Sequence, residues 1–194
     1  EIPLRLVGSE MCIRDRKKLL DAIQKTGKPI VMVLFTGRPL ALQSEEKQVN
    51  AILNVWFGGT EAGAAIADVL TGKVSPTGKL TMSFPRVTGQ CPIYYNHKMT
   101  GRPMSPDAWY TRYVSNYIDV LNEPLYPFGY GLSYTTYTYG DVSLNTNSMD
   151  ANGKIQASVI VTNTGAQDGE EIVQLYLRCL LYTSPSPRDV EESR

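Results

Sequence analysis

Histidine and cysteine are almost missing from this chain. Its 194 residues hold one histidine, His97, and three cysteines, Cys12, Cys91 and Cys179. A lone histidine leaves a His-built metal cluster or a Ser-His-Asp relay without its parts. Unpaired cysteine spacing argues against a disulfide framework or a Cys-rich metal site. An excess of one charge is missing too, since 19 Lys and Arg balance 19 Asp and Glu. Nucleic acid and anionic membrane surfaces both need concentrated Lys and Arg, so neither is an expected partner. No apolar run is long enough to cross a bilayer. Residues 1–16 lack a basic region followed by an apolar core, so no signal peptide is expected there. The chain opens on Glu1, and we expect the natural N-terminus to lie elsewhere. What remains, with 42% apolar and 20% charged residues, has the make-up of a soluble globular protein of one or two domains.

The two ends share an oddity. Residues 179–189 can be encoded by a DNA string whose reverse complement, in a shifted frame, encodes residues 6–15. Two ends of a natural protein have no reason to be related in that way. The string resembles a transposase-type sequencing adapter, so 1–16 and 179–194 read as translated adapter and are set aside for fold reasoning. On that reading Cys91 is the one native cysteine, and the interpretable chain runs from Lys17 to Arg178.

Residues 17–25 (KKLLDAIQK) place Leu19, Leu20 and Ile23 at helical spacing, with Gly27 as a left-handed cap. Residues 30–35 (IVMVLF) form an apolar, β-branched run of the kind found in strands buried on both faces. Ser44-Glu45-Glu46 predicts a capped helix start with acidic residues at the positive end of the dipole. Residues 52–57 (ILNVWF) predict a second strand, and Thr60 is placed to cap a helix that runs through Leu70. Residues 79–84 (KLTMSF) predict a third strand. Strand and helix alternate through this part, which predicts an α/β layer with a mainly parallel sheet.

Nucleotide motifs fail in this setting. The stretch from Gly72 to Lys79 has the wrong glycine spacing for a phosphate loop, and Leu80 stands where a Ser or Thr would hold magnesium. Gly58-Gly59-Thr60-Glu61-Ala62-Gly63 lacks the dinucleotide spacing, and no acidic residue about 20 positions on closes a following strand. No cofactor or metal is expected.

Residues 85–124 carry little regular pattern but many rings, including Tyr94, Tyr95, Trp109, Tyr110, Tyr113 and Tyr117, together with Arg102 and Arg112. So long a connection is either functional or disordered, and disordered segments are poor in aromatics. Ring platforms beside Arg, Asn and Asp groups are the parts of a sugar-binding surface. Trp109, Tyr110 and Arg112 are the candidate substrate-binding residues. The same rings could instead staple a long loop to the domain beneath it.

Residues 125–135 (LYPFGYGLSYT) separate this part from a region of strand patterns alone. Aromatic and rich in turn residues, the segment is unlike a Ser/Gly linker and reads as a packed seam or as a tight turn before a strand. Beyond it, residues 137–144, 154–162 and 170–177 alternate as strands, the first half of a β-sandwich.

Taken in order, KPIVMVLFTGRPLAL, AILNVWFGGTEAGAAIADVLTG, SPTGKLTMSFPRVTGQCPIYYNH, NEPLYPFGYGLSYT and VTNTGAQDGEEIVQLYL resemble the C-terminal half of glycoside hydrolase family 3, of the bacterial β-glucosidase type. The resemblance implies a partial α/β sandwich over 17–136, followed by a truncated fibronectin type III-like β-sandwich over 137–178. It implies a parent enzyme, periplasmic or secreted, with a barrel ahead of these parts, acting on a β-glucoside or oligosaccharide. That parent uses a nucleophile and a general acid/base. The resemblance puts the nucleophile Asp on the barrel and the acid/base Glu upstream of the KPIVMV strand, so neither is carried onto this chain. Glu10 lies in the adapter-like stretch. Glu61 suits a helix-dipole role and is not the family catalyst. The expected result is a fragment without catalytic residues, or else a non-catalytic carbohydrate-binding or interaction module. Oligomeric state leaves no mark on the sequence.

Overall fold

A computed structural model describes residues 16–97, 102, 112–150 and 152–177. Helix α1 occupies 16–24, and Gly27 follows it with a φ of 68°, the left-handed conformation its sequence position predicts. Strand β1 (Val31–Leu34) and strand β2 (Ala51–Asn54) pair in parallel with Val31 opposite Ala51. The Asn50 side chain fixes the register at one end, its Oδ1 accepting from the Ile30 amide at 2.8 Å. Helix α2 (Gln43–Glu46) lies in the crossover, and helix α3 (Ala62–Leu70) follows β2.

Both capping expectations fail. Leu42 is the N-cap of α2 and Glu61 that of α3, and neither makes a side-chain cap bond. Ser44 sits inside α2 and its hydroxyl donates to Glu45 at 2.6 Å. The first strand is less enclosed than its run of apolar residues predicts, since Val31 and Phe35 are more than half exposed. A two-stranded sheet leaves both of its edges and much of each face open.

The third expected strand does not form: the chain bends at Thr81 and Met82, and Phe84 makes an isolated bridge to Tyr126. Residues 80–84 run antiparallel to 126–130 instead, with Leu80 N–H donating to Tyr130 at 2.8 Å and Phe84 N–H donating to Tyr126 at 2.8 Å. The ladder is broken between these two points by a tight turn. Tyr130 N–H closes it on the Pro127 carbonyl at 3.1 Å, and Gly129 has a φ of 80°. Proline first and a glycine of positive φ third is turn chemistry, and such a turn cannot stay in register with a flat strand. Phe84 is the most deeply buried apolar side chain described. Its ring meets Trp56 at 5.9 Å and Tyr126 at 6.3 Å, which ties the end of β2 to this antiparallel pair.

Two antiparallel pairs follow. Strand β3 (Tyr137–Tyr139) pairs with β6 (Val161–Asn163), and β4 (Ser143–Leu144) with β5 (Ala157–Ser158). The expected single strand over 154–162 is thus two short ones that serve different partners. Residues 170–177, predicted as a strand, join no ladder, and Leu175 and Leu177 are exposed. The fold is therefore one of small sheets and few helices, with a parallel pair before residues 125–135 and antiparallel pairs after them.

Candidate functional site

Residues 125–135 make contacts on both sides. Toward the first part, Tyr134 donates its hydroxyl to the Val69 carbonyl at 3.0 Å, and its amide donates to Ser75 Oγ at 3.1 Å. Toward the second, buried Thr135 donates to Asn163 Oδ1 at 2.7 Å. Gly131 packs so closely that a methyl group there would lie 2.6 Å from the Gly78 carbonyl oxygen.

One cleft opens beside this segment. It measures about 410 Å³, and its polar groups come from Lys79, Tyr139, Glu171 and Gln174. Lys79 Nζ donates to the Gly131 carbonyl at 2.9 Å and lies 3.4 Å from Glu171 Oε1, with both side chains mostly covered. Tyr139 donates to the same carboxylate at 2.9 Å. Desolvation first, then that bond and the charge of Glu171, push the Tyr139 hydroxyl above the usual phenol range. Gln174 donates to the Gly129 carbonyl at 3.0 Å and accepts from the Tyr176 hydroxyl.

A second cleft, also about 410 Å³, lies under the start of the long loop. Pro39, Met82, Pro92 and Ile93 give it apolar walls, and Tyr94, Tyr95 and Asn96 stand at it. Cys91, a free and exposed thiol, borders it. Phe128 lines both clefts. Tyr95 stacks on Phe128 with ring centroids 4.4 Å apart and meets Tyr176 edge-on at 6.3 Å.

The loop is pinned from beneath by Gln90, which sequence reasoning passed over. Gln90 is 1% exposed. Its Oε1 accepts from Arg86 N–H at 2.6 Å and its Nε2 donates to the Leu121 carbonyl at 2.7 Å, so one amide joins the two ends of the irregular region. A polar residue within Gly-Gln-Cys-Pro carries no sequence signal for such a job. Lys79 and Glu171 were missed for a similar reason, because nothing local pairs residues that far apart.

Of the predicted substrate-binding residues, Trp109 and Tyr110 lie outside the described residues. Arg112 is exposed. His97 turns back on its own loop, with Nδ1 3.2 Å from the Tyr94 carbonyl oxygen. Glu61 is exposed at the head of α3. Among the described residues no three His, Cys, Asp or Glu side chains converge as metal ligands would, and no helix is long and apolar enough to cross a membrane.

Against known families, residues 10–134 match the glycosyl hydrolase family 3 C-terminal domain. The chain belongs to glycoside hydrolase family 3. The matched region takes in residues 10–16, which sequence reasoning set aside, and stops just before β3. A periplasmic β-glucosidase of Salmonella typhimurium is 54% identical over 165 residues, which are 85% of this chain and 21% of that protein. A β-xylosidase of Formosa agariphila is 47% identical over 163 residues, 84% of this chain and 21% of that one. Among solved structures, a mutant β-glucosidase from Listeria innocua in complex with laminaribiose superposes with a TM-score of 0.74 at 44% identity, covering 78% of this chain and 21% of that one. The family 3 chain described here thus spans about a fifth of the length of these relatives.

Proposed function

We propose that this family 3 chain is a piece of a retaining β-glucosidase that releases terminal, non-reducing β-D-glucosyl residues in the periplasm or outside the cell. The observation that carries the reading is its 54% identity to a periplasmic β-glucosidase across most of its length. Residues 17–136 are the later part of an α/β sandwich, and 137–178 the start of a fibronectin type III-like domain. The switch from a parallel pair to antiparallel pairs supports that division, as does the end of the family match at residue 134. Residues 1–16 and 179–194 are not native, and sequencing the parent gene tests this: an uninterrupted natural reading frame through them overturns it.

The piece lacks the nucleophile and the acid/base and is inactive alone. A retaining glycosidase needs two carboxyl groups about 5–5.5 Å apart across the scissile bond. The full parental reading frame is expected to cleave 4-nitrophenyl β-D-glucoside faster than the xyloside, because the β-xylosidase relative is the less similar of the two. A parent that prefers the xyloside overturns the glucosidase reading. Trp109, Tyr110 and Arg112 contact substrate in that parent. Replacing Arg112 with Ala there is expected to raise KM about tenfold, the loss of one charge-assisted hydrogen bond. An unchanged KM removes Arg112 from the site.

A further inference from the structure

We propose that the two clefts joined at Phe128 form one groove that holds the chain of a neutral β-linked oligosaccharide, apart from the bond that is cut. The choice of sugar class rests on the β-glucosidase reading above, while the groove itself rests on geometry. Tyr94, Tyr95 and Tyr176 stand at these clefts with exposed rings. They are not scattered. Tyr94 and Tyr95 line one cleft, Phe128 lines both, and Tyr95 touches both Phe128 and Tyr176, so linked rings lead from one cleft to the other. Flat rings with polar rims match the apolar faces and hydroxyl edges of pyranose units.

The polar lining matches the same ligand. Asn96 stands at one cleft; Lys79, Glu171 and Gln174 stand at the other. They supply donors and acceptors with opposite charges that balance, as hydroxyls need, and no single-sign field that would select an anion. The cleft lined by Lys79 and Glu171 is also held in shape before any ligand arrives. Gln174 is fixed between the Gly129 carbonyl and the Tyr176 hydroxyl, and Glu171 between Lys79 and Tyr139. Such pre-organisation lowers the ordering cost of binding. Two adjoining clefts predict a dependence on chain length, with a disaccharide filling one and a longer oligosaccharide engaging both.

Calorimetric titration of this chain with cellobiose and cellotetraose tests the proposal. Cellotetraose is expected to bind saturably and roughly tenfold more tightly than cellobiose. Tyr94→Ala removes an exposed ring and is expected to erase that length advantage, Tyr94→Phe to keep it, and Val142→Ala, exposed and at neither cleft, to leave both affinities unchanged. Near-UV circular dichroism confirms that each variant keeps its packing. No saturable binding by the folded chain, equal affinity for the two sugars, or a Tyr94→Ala variant that binds like the parent chain overturns the groove. The assay reads binding without hydrolysis, so its failure leaves the β-glucosidase reading standing. Conversely, a parent enzyme that does not cleave β-glucosides removes that reading without touching a measured affinity.

Discussion

Gln90 shows how one side chain can hold a region that has little regular structure. It is nearly inaccessible, and it satisfies backbone groups near both ends of the long loop. Gln90→Ala is expected to cost about 2–4 kcal/mol, because it strands buried donors and acceptors rather than merely deleting a bond. Urea unfolding measures this, and a loss below about 0.5 kcal/mol contradicts the role. Gln90→Glu sets a buried carboxylate oxygen against the Leu121 and Glu123 carbonyls, so at neutral pH it is expected to cost at least as much as Gln90→Ala. Glu45 makes a prediction in pH. Burial pushes its carboxyl up, but the Ser44 hydroxyl, Lys17 and its own backbone amide outweigh that and leave it below the usual range. A lowered carboxyl stabilises the fold above its unfolded pKa of about 4.3, and the contribution is lost as pH falls through the lower folded value. Unfolding midpoints are therefore expected to drop below about pH 4, and Glu45→Gln to flatten that drop. An identical acid profile for the variant contradicts it. The sequence marked Glu45 as a helix-start residue, which is correct in place. Its partner Lys17, on α1 at 3.0 Å, was beyond local reading.

At the scale of elements, the aromatic segment over 125–135 was legible as special, and its partners were not. Hydrophobic pattern predicted a strand over residues 79–84, which bend at Thr81 and Met82 instead. It could not say that they would leave the parallel sheet and pair with 126–130, because pairing depends on contacts distant in sequence. The Pro127–Tyr130 turn explains why that pairing is interrupted, and Gly129 is its pivot. Gly129→Ala places a side chain in a left-handed conformation and within 2.6 Å of the Tyr176 hydroxyl, and is expected to cost about 1–3 kcal/mol. In this variant faster hydrogen exchange is expected on both sides of the pair, at Leu80 and Phe84 and at Gly129 and Tyr130. Exchange that changes on one side alone contradicts the two-sided role. Thr135 offers a contrasting case on the other flank, since Thr135→Val removes one buried hydroxyl that Asn163 accepts, for about 1 kcal/mol. Helix starts were misjudged for a plain reason. Ser44 and Thr60 are capping types, but α2 and α3 start at Gln43 and Ala62, out of step with both.

For the whole molecule, the order of motifs along the chain was more informative than any single one. Each motif is short, yet their sequence from KPIVMV to EEIVQLYL pointed to glycoside hydrolase family 3, and the family match agrees. The extent of burial was not legible in the same way. Val173, Leu175 and Leu177 share one face of an alternating strand pattern, yet they are exposed, because the small antiparallel pairs among the described residues give them nothing to pack against. The central claim is the proposal that this family 3 chain does not itself carry the two carboxylates of its parent's reaction. The most direct measurement compares hydrolysis of 4-nitrophenyl β-D-glucoside by this chain and by the full protein from the parental reading frame. The account predicts turnover with retention of configuration for the full protein, and none above buffer for this chain at any concentration. Turnover that rises with the concentration of this chain alone, or a full protein that leaves the glucoside intact, would contradict it.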